Sequence, residues 1–280
     1  MGTDLQNANS RVVLRVLGMR KQYSRRSLLQ RQTLLKAVDG VDFEIPAGKT
    51  LALVGSSGSG KSTVARCVTR LETPDAGEIW IGDREISQLR SRELRPLRSE
   101  IQMIFQDAAT SISPRFSAAD VIEEPLLIQR QGDREYRRER AKNLMDEVGL
   151  SPACADRRAL NFSGGQRQRL AIARALAMQP KLLVLDEALC GLDLSTQAQI
   201  VNLLLELQAT HSLAYLFISH DLALVARIAD SIAVMSEGQI VEQGPASEIV
   251  SHPSHPETKR LLAARNAFRS SFAAAAGATL

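Results

Sequence analysis

The sequence is short of several things, and each shortage removes a class of protein. Cysteine is scarce: the 280 residues hold three, Cys67, Cys154 and Cys190, odd in number and far apart. Such a set builds neither a disulfide framework nor a zinc-ligand pattern, and it predicts a chain kept in a reducing cytosol. No apolar run approaches the ~20 residues that a membrane-spanning helix needs. The opening MGTDLQNANSR has no apolar stretch, so no secretory leader is expected. A surplus of one charge is almost missing too. Lys and Arg number 35 against 31 Asp and Glu, a formal net charge of +4. That is too slight to predict a nucleic-acid partner. Internal repeats and sustained heptads are absent. A secreted, fibrous or integral-membrane protein is disfavoured on these grounds.

What is there is globular material: 44% hydrophobic and 24% charged residues, enough for a sizeable core in one large domain or about two. Residues 1–10 are polar and expected to be loose. RVVLRVLG at 11–18 reads as a first strand, and residues 24–32, with Arg25, Arg26 and Arg31, as an exposed basic loop. VDFEI at 41–45 alternates as a strand does, and Pro46-Ala-Gly48 breaks it. TLALV at 50–54 is continuously apolar, as in a strand buried on both faces, and a helix over 61–70 follows. Further strands are expected at 79–81, 101–105, 182–185 and 214–218, with helices at 197–208 and 221–228. Residues 232–241 read as a hairpin turning at Glu237-Gly238. The stretch 120–150, rich in Arg, Glu, Leu and Ala, predicts two or three helices interrupted by Pro125 and Gly132; another helix follows Ser163. The Ala-rich end predicts a frayed tail. Short buried strands alternating with helices predict an α/β core, with a helix-only insertion at about 110–175.

The sharpest motif is GSSGSGKS, formed by Gly55, Ser56, Ser57, Gly58, Ser59, Gly60, Lys61 and Ser62, with Thr63 next. It fits G-x-x-x-x-G-K-[ST], follows a buried strand and opens a helix, the context this phosphate-binding loop requires. Glycines let the backbone curl so that amide N–H groups converge on an anion, and the helix N-terminus adds partial positive charge. Lys61 is positioned to reach the β- and γ-phosphates of ATP, and the Ser62 hydroxyl to ligate Mg2+. By composition alone the pattern arises by chance in about one chain in a hundred of this length, and the strand–loop–helix context makes a merely flexible loop a poor alternative.

LLVLDE at 182–187 drives a strand into the sheet and leaves two carboxylates at its C-terminal end, where α/β proteins bind ligands. Asp186 is a candidate Mg2+ residue, and Glu187 a candidate to polarise an attacking water. Alone, such a run is commonly just a strand end; downstream of the phosphate loop the metal reading dominates. Ser163, Gly164, Gly165 and Gln166, ahead of a helical run, form a second anion-binding start, or else an ordinary helix cap with a flexible lead-in. Two phosphate-type helix starts in one chain suggest half-sites completed by a second copy or a paralogue.

The order GSSGSGKS, FQD at 105–107, SGGQ at 163–166, LLVLDE at 182–187, GLD at 191–193 and SHD at 219–221 resembles an ABC transporter ATPase over about residues 11–265. The resemblance implies a P-loop NTPase core of mixed sheet and helices with a helical subdomain. It divides the chain into a flexible start at 1–10, an ATP-binding α/β core at 11–109 and 176–250, the helical subdomain at 110–175 and a C-terminal extension at 251–280. It implies that Tyr23 is the adenine-stacking aromatic, an ordinary half-buried strand-end tyrosine being the equal alternative. Gln106 becomes the glutamine that senses Mg2+ and the attacking water. The 163–166 signature clamps ATP held by the opposite subunit, Asp193 runs across the dimer interface, and His220 contacts the γ-phosphate. His211, His252 and His255 read as surface residues.

FSGGQRQR, LDLSTQAQIVNLLLELQ, FISHDLALVARIAD and HPETKRLLAA further resemble the peptide/nickel importer ATPases, and the member of such pairs that lacks a C-terminal cysteine cluster. Implied partners are a second ABC ATPase subunit, two membrane permeases contacted through residues around 106–150, and indirectly an extracytoplasmic solute-binding protein. The implied location is the cytoplasmic face of the inner membrane. The departures are Cys190-Gly191 for Ser-Ala, Asn161 for Glu, Ser113 for Asn and Glu257 for Tyr. The expected activity is ATP hydrolysis driving oligopeptide or dipeptide uptake. A nickel or metal-chelate importer, an exporter and a soluble ABC ATPase of repair or translation remain as rivals. A binding-only cassette would have lost Glu187 or His220, and both are present.

Overall fold

The computed structural model describes residues 11–27, 30–106 and 112–263. In chain order the elements are strands β1 (Val12–Ser27), β2 (Gln30–Pro46) and β3 (Thr50–Gly55), helix α1 (Lys61–Val68), strands β4 (Ala76–Ile81) and β5 (Arg84–Glu85), helix α2 (Ser91–Leu94), strand β6 (Ile101–Ile104), helices α3 (Ala118–Ile128), α4 (Arg134–Glu147) and α5 (Gly164–Leu176), strand β7 (Leu182–Asp186), helix α6 (Leu194–His211), strand β8 (Ala214–Ile218), helix α7 (Leu222–Ile228), strands β9 (Ser231–Ser236) and β10 (Gln239–Pro245), and helix α8 (Ala246–Ser251). Two sheets result. One is antiparallel, ordered β2-β1-β4-β5; the other is ordered β10-β9-β3-β8-β7-β6, parallel except for β10.

The apolar runs explain the layering. In β3, Leu51 and Leu53 face a core shared with α1 and the antiparallel sheet, beside Val64, Val68, Val16 and Ile79. Ala52 and Val54 point the other way, into a core with Ile122 of α3, Ile172 of α5 and Leu204 of α6. β7 and β8 alternate in the same sense: Leu182, Val184, Leu216 and Ile218 on the first side, Leu183, Leu185, Tyr215 and Phe217 on the second. A strand with two dry faces has no use for polar side chains, which is why these runs are unbroken. Because the strands are parallel, the C-terminal ends of β3, β6, β7 and β8 open at one edge, and the loops after them meet there.

Three sequence expectations need correction. Residues 24–32 are not a loop: β1 and β2 continue into a long hairpin with Arg25 paired to Thr33 and Ser27 to Gln30, while residues 28 and 29 lie outside the described set. The first strand also runs past Gly18, where a register shift absorbs the glycine at φ 56°. The Gly18 N–H donates to Asp42 Oδ1 at 2.7 Å, and the strand continues. Pro125 does not interrupt a helix; it sits inside α3. Proline forfeits one intrahelical bond, and burial of Val121, Ile122 and Leu126 keeps the helix intact across it. His211 is exposed, as expected, and its ring also pairs with Glu147 at the end of α4. The tail, the N-terminal decapeptide and Asp107 of the FQD motif lie outside the described residues.

Glu242 on β10 anchors the segment after α8. Its carboxylate accepts from the Ser254 N–H and hydroxyl, both at 2.7 Å, from the His255 N–H at 3.0 Å, and from the Thr258 hydroxyl. Partial burial would raise its pKa, but these donors outweigh it and hold the carboxyl down at about 2. A folded pKa below the ordinary 4.5 means that this stabilisation is full above the ordinary carboxylate range and is lost as pH falls through about 2. Titration of the Ser254 and His255 amide resonances should therefore show a midpoint near 2, and a midpoint at the ordinary value would contradict the network. Glu242→Gln puts a donor where an acceptor is needed and should speed hydrogen exchange at those two amides by about tenfold or more.

Candidate nucleotide site

The phosphate-type loop leaves β3 through a passage that only glycine fits. A Cβ on Gly60 would lie 2.1 Å from the Ala37 carbonyl oxygen and 2.8 Å from Met235 Cε, and the φ of 108° is already left-handed. On Gly55 a Cβ would lie 2.2 Å from the Met235 carbonyl oxygen. The loop is thus seated between β2 and β9, and the Gly238 N–H adds a bond to the Ser59 carbonyl at 3.0 Å. Ser57 and Gly58 form its exposed crest, while Ser59 is buried. Gly60 precedes α1 and offers no side-chain cap, so the first N–H groups of the helix are left to an outside acceptor.

Lys61 is buried to 5% exposure. Its ammonium donates to the carbonyls of Gly55 at 2.9 Å and Ser56 at 2.8 Å, and to Ser59 Oγ at 3.3 Å. Burial lowers its pKa, and Glu187 and Asp186 pull it back up. One residue on, Ser62 Oγ donates to Asp186 Oδ1 at 3.0 Å across 124 positions of sequence. Asp186, at the end of β7, is pushed up by burial and brought down by that hydrogen bond. Thr63 follows, half-buried, on α1.

Glu187 turns the chain at φ 47°, and its N–H donates to the Ile218 carbonyl at 3.0 Å, tying the ends of β7 and β8 together. That tie brings His220 into place: its Nδ1 is 3.5 Å from Glu187 Oε1. Lys61, Ser62, Asp186, Glu187 and His220 thus share one edge. Gln106 lies exposed at the same edge, just beyond β6, where Ile104 pairs with Leu185. A neighbour that sequence reading left without a role is Cys190, whose Sγ donates to Glu187 Oε2 at 3.7 Å. Burial, and then Glu187, push its thiol up to about 11. The three-residue spacing from Glu187 across a tight turn was the available signal.

Other candidates stand apart from this cluster. Tyr23 is not at a strand end; it lies within β1, half-buried, opposite Leu35. Its hydroxyl donates to Glu72, and Lys21 Nζ is 5.7 Å from its ring centroid. Ser163 caps α5 reciprocally with Gln166: the Gln166 N–H reaches Ser163 Oγ at 3.3 Å and the Ser163 N–H reaches Gln166 Oε1 at 3.0 Å. Ser163, Gly164 and Gln166 are exposed. Gly165 abuts α6, since a Cβ there would lie 2.6 Å from Thr196 Cγ2. Thr196 in turn bonds to Asp193, its N–H at 2.9 Å and its hydroxyl at 2.7 Å, so Asp193 caps α6. No hydrogen bond among the described residues links the 163–166 segment to Lys61.

Comparison with known proteins agrees with this geometry. A family model described as ABC transporter matches residues 38–190. The di/tripeptide transport ATP-binding protein DppF of Pseudomonas aeruginosa is 46% identical over 239 residues, covering 85% of this chain and 74% of that one. The glutathione import ATP-binding protein GsiA of Salmonella paratyphi A is 46% identical over 254 residues, or 90% of this chain but only 41% of its own length. Among solved structures, the dimeric post-hydrolysis ATP-binding cassette MJ0796 bound to ADP and Pi superposes with a TM-score of 0.72 at 27% identity, over 83% of this chain and 98% of that one. An α/β cassette fold with the phosphate loop at the sheet edge, and relatives of this closeness, lead to one conclusion: the chain belongs to the ABC transporter family, as an ATP-binding member.

Proposed function

We propose that the chain is the ATP-hydrolysing subunit of an importer for oligopeptides or dipeptides, working at the cytoplasmic face of the inner membrane. The observation that carries the ATP part is the junction of Ser62 with Asp186, beside a buried Lys61. Lys61, caged by loop carbonyls, turns to the β- and γ-phosphates when ATP enters, and the loop amides from Gly55 to Thr63 wrap them. The donor set of Ser62, Asp186 and Gln106 suits a hard, oxygen-seeking cation. Mg2+ held there supplies charge neutralisation on the phosphates. Glu187 orients the attacking water as base, and His220 faces the γ-phosphate. Tyr23, whose hydroxyl is held by Glu72 just past α1, stacks on the adenine.

The exposed Ser163, Gly164 and Gln166, with exposed Asp193, fit the surface of a second ATPase subunit, a paralogue, that completes each site. Charge on the γ-phosphate is then stabilised from both sides. That MJ0796 is a dimer supports this pairing. Among the described residues no helix is long and apolar enough to cross a membrane, so two permease subunits would supply the pathway and an extracytoplasmic solute-binding protein the cargo. Residues around 106–150 would meet the permeases. The peptide assignment rests on the relatives DppF and GsiA.

Three outcomes test this reading. Lys61→Ala should weaken ATP binding about ten- to a hundredfold in a nucleotide-binding assay while circular dichroism stays unchanged; wild-type affinity would refute the loop assignment. Glu187→Gln keeps the shape and removes the base, so hydrolysis should fall about a hundredfold or more while ATP-bound dimers accumulate on size exclusion. For the cargo, a deletion strain should lose growth on a required di- or oligopeptide and keep nickel accumulation. Loss of nickel with intact peptide uptake would transfer the assignment to a metal importer.

A further inference from the structure

Glu187, Cys190 and His220 offer a carboxylate oxygen, a sulfur and a ring nitrogen that all lie within 4.8 Å of one another. Cys190 Sγ lies 3.7 Å from Glu187 Oε2 and His220 Nδ1 lies 3.5 Å from Glu187 Oε1, so the thiol and the imidazole address the two oxygens of one carboxylate. A tetrahedral zinc with bonds of about 2.0–2.3 Å spaces its ligand atoms about 3.3–3.8 Å apart. Both carboxylate contacts fall in that range, and with all three ligand atoms within 4.8 Å of one another the groups stand close to zinc spacing. Their backbones are tied: the Glu187 N–H is bonded to the Ile218 carbonyl at 3.0 Å, the Cys190 N–H to the Glu187 carbonyl at 3.0 Å, and His220 is the second residue after β8. An entry path exists, since the His220 side chain is 60% exposed.

The donor chemistry selects the ion. Mg2+ takes oxygen ligands, whereas a mixed sulfur, nitrogen and oxygen set prefers Zn2+ and similar transition ions. Neither Glu187 nor His220 is unusual for the family resemblance drawn from the sequence; Cys190 is the departure, and it adds the soft ligand that turns a catalytic pair into a three-donor site. We propose that Glu187, Cys190 and His220 bind a Zn2+-class cation and that its occupation arrests ATP hydrolysis. Binding forms a zinc–thiolate bond and releases the thiol proton to solvent. It ties up the carboxylate and the imidazole while leaving Lys61, Ser62 and Asp186 free for nucleotide. The arrest rests on the hydrolytic reading of Glu187 and His220; the binding does not.

Cobalt(II) is the probe for binding, added to the full chain without nucleotide. One cobalt per chain should give thiolate-to-cobalt charge-transfer absorption that zinc abolishes by displacement. Cys190→Ser should lose the band and Cys154→Ser keep it. His220→Gln, as a second ligand variant, should weaken cobalt binding about tenfold or more. No band in the wild-type chain, or a band that survives Cys190→Ser, overturns the site. For the arrest, hydrolysis is measured with excess Mg-ATP and buffered free zinc, each variant against its own zinc-free rate. Zinc should slow the wild-type chain about tenfold or more and Cys190→Ser less than about twofold. Equal slowing of both, or none in a chain that shows the cobalt band, overturns the arrest. A chain that shows the band but hydrolyses no ATP in zinc-free buffer counts against the proposed function alone.

Discussion

A buried ammonium organises the functional edge of the sheet. Lys61 is out of water, and a cation there is costly unless every donor finds an oxygen. The loop supplies two carbonyls and a hydroxyl, so the lysine folds the loop around itself before any phosphate arrives. The loop can comply only because Gly55 and Gly60 let it slide between Met235 and Ala37 without a side chain in the way. Removing either glycine would push the loop off β9 or β2, and the ammonium would lose its acceptors. Held this way, α1 sets Ser62 against Asp186, and that bond joins the first and second halves of the sequence at one point.

The two-faced burial of the central strands does the rest of the positioning. β3, β7 and β8 are dry on both sides, so neither sheet nor helical layer can shift without breaking a packed core. The loops at their ends inherit that rigidity. It is why Glu187 and His220, in the loops that leave β7 and β8, meet at 3.5 Å.

Much of this was legible in the residues. TLALV, LLVLD and AYLFI declare buried parallel strands by their lack of alternation, and the structure has them as β3, β7 and β8. The Ser163–Gln166 cap and the turn at Glu237-Gly238 follow from local chemistry and were equally readable. What could not be read was set by partners remote in sequence. The basic stretch after Tyr23 looks like a loop because of its polarity, yet polarity is no bar to pairing: two strands extend a ladder wherever each satisfies the other's backbone. Pro125 looks like a stop because its cost is local, while the burial that offsets it belongs to α3's neighbours. Cys190 carries no role in the sequence reading, although its three-residue spacing from Glu187 is what a tight turn needs to fold it back.

The contact between Gly165 and Thr196 has a mechanical meaning. With a hydrogen atom where other residues carry a carbon, Gly165 lets α5 rest directly on the start of α6, and Thr196 is bonded twice to Asp193. The signature segment and the turn that leads back to Glu187 are therefore hinged to the same post. The first turn of α5 thus has no room to tilt towards α6 without pressing on Thr196, and through its two bonds on Asp193, six residues from Glu187.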